Sequence, residues 1–150
     1  MIEITSNSPE ETRAVGRRLA GLLNPGDVVL LAGKLGAGKT VLAAGIAEGL
    51  GVDEQVTSPS FVLVHEHAGF LPLIHADVYR IGSSAEFDDL ELVSAAEDGV
   101  LLIEWGNVVA GSLPPDHLVV EIVVLSELER RIGLTPVGTW ESRPLEELTA

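Results

Sequence analysis

The sequence predicts a three-layer α/β domain with a mixed, largely parallel central sheet and peripheral β-hairpins. Three observations predict it. Two short apolar runs rich in β-branched residues, "DVVLLAG" at 27–33 and "GVLLIEW" at 99–105, read as strands buried on both faces. Segments with helical spacing of apolar residues alternate with such runs. Two further pairs of strand-like runs are each joined by a short polar or glycine-containing turn. A length of 150 residues suits one compact domain, taken as 1–150, that can bury a core, and no repeat, low-complexity tract or linker interrupts it.

Taken in order, the first element is a helix opened by Ser8-Pro9-Glu10-Glu11. Ser8 can cap it, Pro9 suits the first turn and Glu11 completes a capping box. Val15, Leu19, Leu22 and Leu23 then recur at helical spacing until "NPGD" stops the helix. The strand at 27–33 follows, then a glycine loop, then a helix from Lys39 to about Leu50 ended by "GLG". "FVLVHEH" and "LPLIHADVY" flank an "AGF" turn and read as a hairpin. "SSAEFDDLELVSAAED" opens with Ser83 and Glu86 as a second capping box and reads as helical. After the strand at 99–105, "DHLVVEIVVL" and "RRIGLTPVG", separated by polar "SELE", read as a second hairpin.

Composition narrows the function classes. Nine basic residues stand against 23 acidic ones, for a net charge of −14. Autonomous binding of tRNA or other nucleic acid needs a basic footprint that this chain lacks. The same acidity argues against an anionic membrane surface, and no apolar run reaches the ~18–20 residues of a membrane-spanning helix. The opening "MIEITSNSPEET" has neither a basic region nor an apolar core, which argues against a secretory signal. There is no cysteine, which excludes disulfides, thiol catalysis and Cys-ligated zinc. The expected location is cytoplasmic.

Both lysines of the chain, Lys34 and Lys39, lie in "GKLGAGKT" at 33–40. This stretch matches G-x-x-x-x-G-K-[ST] at Gly33, Gly38, Lys39 and Thr40, after a predicted strand and before a predicted helix. The motif makes the domain P-loop NTPase-like. Backbone N–H groups over Gly33, Leu35, Gly36, Ala37, Gly38, Lys39, Thr40 and Val41 are the expected cradle for the phosphates of ATP or ADP. Lys39 supplies a point charge for the β- and γ-phosphates, and the Thr40 hydroxyl a ligand for Mg2+. The positive charge is thus concentrated where a triphosphate would sit.

A P-loop needs an acidic partner for the metal at the end of a neighbouring apolar strand. Glu104, ending "GVLLIE", and Asp77, in "LPLIHAD", are the two candidates for a metal or water ligand. "VTSPSF" at 56–61 occupies the place of a switch segment, though an ordinary Ser/Pro loop has the same composition. His75 reads as a structural strand histidine that could position water. Tyr79 and Arg80 read as a surface pair or an interaction patch, and Trp105 as core, a stacking surface or a gate. There is no N-K-x-D guanine-reading motif, no LSGGQ-like stretch and no basic lid of the kind small-molecule kinases close. The missing guanine motif is what favours ATP over GTP.

Five signals occur in one order: "GKLGAGKT", "VTSPSFVLVHEH", "IHADVYRI", "AEFDDLEL" and "LLIEWGN". This series resembles the TsaE family (older name YjeE), small bacterial ATPases that take part in threonylcarbamoyladenosine (t6A) modification of tRNA. The resemblance runs from about Ser8 to Asn107 and more weakly through the second hairpin. It implies that Thr40 and Glu104 associate with magnesium, that Asp77 is the acidic group needed for hydrolysis, and that Thr57 senses the γ-phosphate. It also implies that Tyr79, Arg80 and Trp105 belong to the functional surface, and that Ser8 to Thr12 with Arg130 and Arg131 border the adenine and ribose. TsaB and TsaD are the implied partners; TsaD carries the transfer, and the ATPase, weak alone, helps the complex turn over. A factor that need not grip tRNA itself is compatible with a charge of −14. Ser60 stands where the family pattern has Thr, which keeps the hydroxyl, and 126–150 matches the pattern poorly. The alternative reading is a nucleotide-dependent binding module whose hydrolysis is incidental.

Overall fold

A computed structural model describes residues 2–34, 36–53, 64–78, 88, 91–104 and 113–149. Seven strands form one sheet: β1 (Ile2–Ser6), β2 (Asp27–Ala32), β3 (Val64–His67), β4 (Leu73–Asp77), β5 (Val100–Glu104), β6 (His117–Val124) and β7 (Arg130–Val137). Their order is β1-β7-β6-β2-β5-β4-β3. The contacts of β2 with β6 and β5, and of β5 with β4, are parallel. Antiparallel pairing extends the sheet to β7 and β1 on one side and to β3 on the other. Both expected hairpins therefore form, and both continue the central sheet.

Strands β2 and β5 are apolar almost throughout, and β4 is buried along its whole length, because both faces of each are covered. On one face Val29, Leu31, Leu102 and Leu118 pack under the helices α1 (Pro9–Ala20) and α2 (Lys39–Gly49). On the other, Val28, Leu30, Leu101 and Ile103 pack with Leu92 and Ala96, around the short helix α3 (Leu92–Ala95). Three layers result. The capping box expected at Ser83 and Glu86 lies outside the described residues.

Helix α1 begins as its sequence directs. Ser8 accepts from Glu11 N at 3.2 Å, and Asn7 N donates to Glu11 Oε2 at 2.5 Å. Glycines set its contact with α2. A Cβ on Gly16 would lie 2.5 Å from Leu42 O and 2.8 Å from Ile46 N, and one on Gly45 would collide with Arg13 O. The two backbones thus touch directly, and Arg13 and Arg17 close the exposed rim on Glu48 at 2.7 and 3.2 Å.

Two parts escaped the sequence reading. Strand β1 pairs with β7, its only strand partner among the described residues, with Ile4 opposite Ile132. The 3₁₀ turns Gly138–Ser142 and Leu145–Thr149 fold back onto the core and bury Trp140, Leu145 and Leu148. Arg143 lies over the Trp140 ring, 3.7 Å from its centroid, and forks onto Asp27 at 2.5 and 2.7 Å at the start of β2. No helix among the described residues is long and apolar enough to cross a membrane.

Candidate functional site

Strand β2 delivers its last residue, Ala32, into the glycine loop at the carboxyl end of the parallel strands, the edge at which open α/β sheets place ligands. The loop turns on glycines with positive φ, 81° at Gly36 and 109° at Gly38. At both positions a Cβ would meet nothing within 4 Å, so backbone conformation, not crowding, demands glycine there.

Helix α2 starts differently from α1. Its N-cap is Gly38, no side chain caps it and no acidic residue occupies its first turn, whereas α1 has Ser8, Glu10 and Glu11. The first intrahelical bond runs from Leu42 N to Gly38 O at 3.0 Å, so the N–H groups before Leu42 have no ladder acceptor. With no side-chain cap and no acid in its own first turn, this helix start leaves its positive dipole end able to receive an external anion.

Lys39 stands in the first turn and is 5 % exposed. Burial holds its ammonium pKa below the ordinary lysine value, and the charges of Glu104 and Asp77 partly oppose that shift. The ammonium and the two carboxylates are therefore electrostatic neighbours. Asp77 and Glu104 are register partners on adjacent parallel strands, and Leu31 faces Glu104 from the other side. Both acids are buried, 6 % and 2 % exposed. They stand at two-residue spacing in line with Leu73, Val100 and Leu102, which pack in the layer holding α2, so both carboxylates lie on the face that carries Lys39. The two sequence candidates for the acidic partner are thus brought together rather than one being excluded.

His75 lies on the same face, two residues before Asp77. Its Nε2 is 2.6 Å from Glu104 Oε2. The sequence pattern holds a histidine there but gives no sign of this pairing across 29 positions. Arg130 was likewise missed in its observed role: its Nε donates to Ala37 O in the loop at 2.8 Å.

The remaining candidates divide. Thr40 and Val41 are half-buried in the first turn of α2. Gly33 ends β2 tightly, since a Cβ there would lie 2.9 Å from Ile122 O. Ser8 Oγ caps α1, and Thr12 Oγ1 is buried 2.7 Å from Ser6 Oγ, so both hydroxyls already have partners within the chain. Arg131 is exposed on β7 opposite Thr5. Leu35, Thr57, Ser60, Tyr79, Arg80 and Trp105 lie outside the described residues.

The donor set fits a magnesium–nucleotide complex. Magnesium typically takes one or two protein ligands and completes its shell with phosphate oxygens and water. Thr40 and Glu104 would hold it, and no cluster of three or more His, Asp or Glu, of which the described residues have none suited to a metal, is required.

Comparison with known proteins identifies the family. Residues 6–132 match the family model TsaE, described as threonylcarbamoyl adenosine biosynthesis protein TsaE. The chain is 41 % identical over 143 residues to the tRNA threonylcarbamoyladenosine biosynthesis protein TsaE of Bacillus subtilis, covering 95 % of this chain and 90 % of that one. It is 47 % identical over 110 residues to the protein of the same name in Streptomyces coelicolor, covering 71 % and 74 %. The crystal structure of Bacillus subtilis YdiB superposes with a TM-score of 0.80 at 37 % identity, covering 98 % of this chain and 93 % of that one.

Proposed function

This chain belongs to the TsaE family of threonylcarbamoyladenosine biosynthesis proteins, and from that premise we propose that it is the magnesium-dependent ATPase of t6A formation on tRNA, acting in the cytoplasm with TsaB and TsaD. The observation that carries the reading is the buried Lys39 beside Asp77 and Glu104, directly after a loop and helix start built for an anion.

The residues divide the work of hydrolysing the β–γ anhydride. The loop amides and the start of α2 bind the phosphates without any charge that must move. The Lys39 ammonium, already buried in the fold, offsets negative charge on the β- and γ-phosphates. Thr40 and Glu104 would hold magnesium, which when bound would supply further charge neutralisation there. His75 keeps Glu104 in one orientation. Asp77 is the carboxylate placed to orient the attacking water and accept its proton. Thr57 is assigned the switch role, reporting the γ-phosphate.

Three variants test the assignment in steady-state ATP hydrolysis and ADP titration. Lys39→Ala should lose both nucleotide affinity and turnover. Glu104→Gln should lose magnesium-dependent hydrolysis while ADP binding suffers less. Asp77→Asn should keep ADP binding and lose turnover. Hydrolysis that survives Glu104→Gln but needs Asp77 for its magnesium dependence would exchange the two roles. With TsaB and TsaD present, repeated rounds of t6A synthesis should stop when ATP is replaced by a non-hydrolysable analogue. Continued rounds under that substitution would make the protein a nucleotide-dependent binding module instead.

A further inference from the structure

Arg130 opens β7, 93 residues after the loop it touches. Its Nε donates to Ala37 O at 2.8 Å. Its Nη1 meets the carbonyls of Ser126, Glu127 and Glu129 at 2.8, 3.2 and 2.9 Å. One guanidinium therefore ties the β6–β7 turn to the peptide that joins Ala37 to Gly38. Its planar, fixed fork suits that double duty.

That peptide matters because of what lies on its other edge. The helix ladder begins at Gly38 O, so Ala37 O has no acceptor role in α2. In a trans peptide the C=O and the following N–H point in opposite directions. Holding Ala37 O on Arg130 thus fixes the direction of the Gly38 N–H, away from Arg130. The segment would otherwise turn easily. Gly36 and Gly38 both have positive φ, and among the described residues no atom outside their immediate chain neighbours lies within 4 Å of where a Cβ would stand. Glycines in open space offer little resistance to a peptide flip. A flipped 37–38 peptide would present a carbonyl oxygen where the cradle needs a donor.

We propose that Arg130 is a positioning residue that locks the Ala37–Gly38 peptide so that the Gly38 N–H serves as a phosphate donor. This rests on the phosphate-cradle reading of the loop and adds to it a control exerted from the far hairpin.

The test uses the full chain with Arg130→Met, which removes every donor, and Arg130→Lys, which keeps the charge but not the fork. Inorganic pyrophosphate and ADP are the probes, and the Gly38 and Leu42 amides are followed in 15N–1H spectra. Both variants should bind both probes about tenfold more weakly, the scale of one charge-assisted hydrogen bond. In the nucleotide-free variants the Gly38 amide signal should shift or broaden while that of Leu42, inside the helix ladder, stays in place. A Gly38 signal unmoved in both variants would overturn the proposal. So would full affinity in Arg130→Lys, which would make Arg130 a charge and not a lock. If Arg130→Met fails to fold, Arg130→Lys decides alone. If the unaltered protein binds neither probe, the phosphate-cradle reading fails, and the free-state Gly38 signal still reports whether Arg130 holds the peptide.

Discussion

His75 Nε2 lies 2.6 Å from Glu104 Oε2, with the two side chains 0 % and 3 % exposed. His75 is the register partner of Leu102, so the bond runs diagonally along the sheet to the next residue of the same face. A ring nitrogen on the neighbouring strand thus orients the carboxylate before any ligand arrives.

His75→Phe keeps a planar ring and removes the bond. Magnesium-dependent hydrolysis should fall by about 10–100-fold, the usual cost of losing an outer partner of a metal ligand. ADP affinity without magnesium should stay close to the unaltered value, because the loop amides are untouched. An equal loss of magnesium-free ADP affinity would show that the ring supports the fold and not the carboxylate.

Lys39 gives a signed pH effect. Its folded pKa is below the ordinary 10.5 because burial disfavours the charged form. Between the lowered value and 10.5 the unfolded chain binds more protons than the fold, so stability from this group rises with pH across that window. Denaturant titrations of nucleotide-free protein should show the stability difference between the unaltered chain and Lys39→Met shifting in favour of the former as pH climbs toward 10.5. A difference flat in pH would mean the ammonium is as well solvated in the fold as outside it.

The α1–α2 contact is a matter of sterics. Gly45→Ala places a methyl group on Arg13 O, backbone against backbone, with no flexible side chain to yield. The helices must separate, and stability should drop by about 1–3 kcal/mol, the range for overpacking. Thermal unfolding checks this. A variant as stable as the unaltered chain would place the helices farther apart than described.

The charge argument predicts no measurable affinity of the isolated protein for tRNA at physiological salt. With a net charge of −14, the chain lacks the array of phosphate contacts on which such binding depends. Tight binding that weakens steeply with added salt would refute it.

What could be read from the sequence was local. The glycine loop, its strand and its helix are adjacent in the chain, and each residue type answers to a backbone requirement within eight positions. The strands β2 and β5 announced themselves by apolar content, since two covered faces leave no room for alternation. By contrast, β1 has five residues and depends on a partner near the opposite end of the sequence, so nothing within it distinguishes strand from coil. The His75–Glu104 bond and the grip of Arg130 on Ala37 span 29 and 93 positions and exist only once the strand order is known. Trp140 and Arg143 sat in a stretch with no periodicity, and only the folded core that buries Trp140 and the Asp27 carboxylate that Arg143 grips give them a purpose.

Strand β2 has six residues, about 20 Å of extended chain, with the phosphate loop at one end and Asp27 in the fork of Arg143 at the other. The tail beyond β7 is therefore the footing of the strand that carries the loop, although no tail residue stands among the acids and lysine of the site. A protein cut before Gly138 would lose the footing and keep every group of the chemistry. Weak nucleotide binding by such a fragment would be a foundation fault, and reading it as a sign of chemistry in the tail would be an error of inference that the fold itself invites.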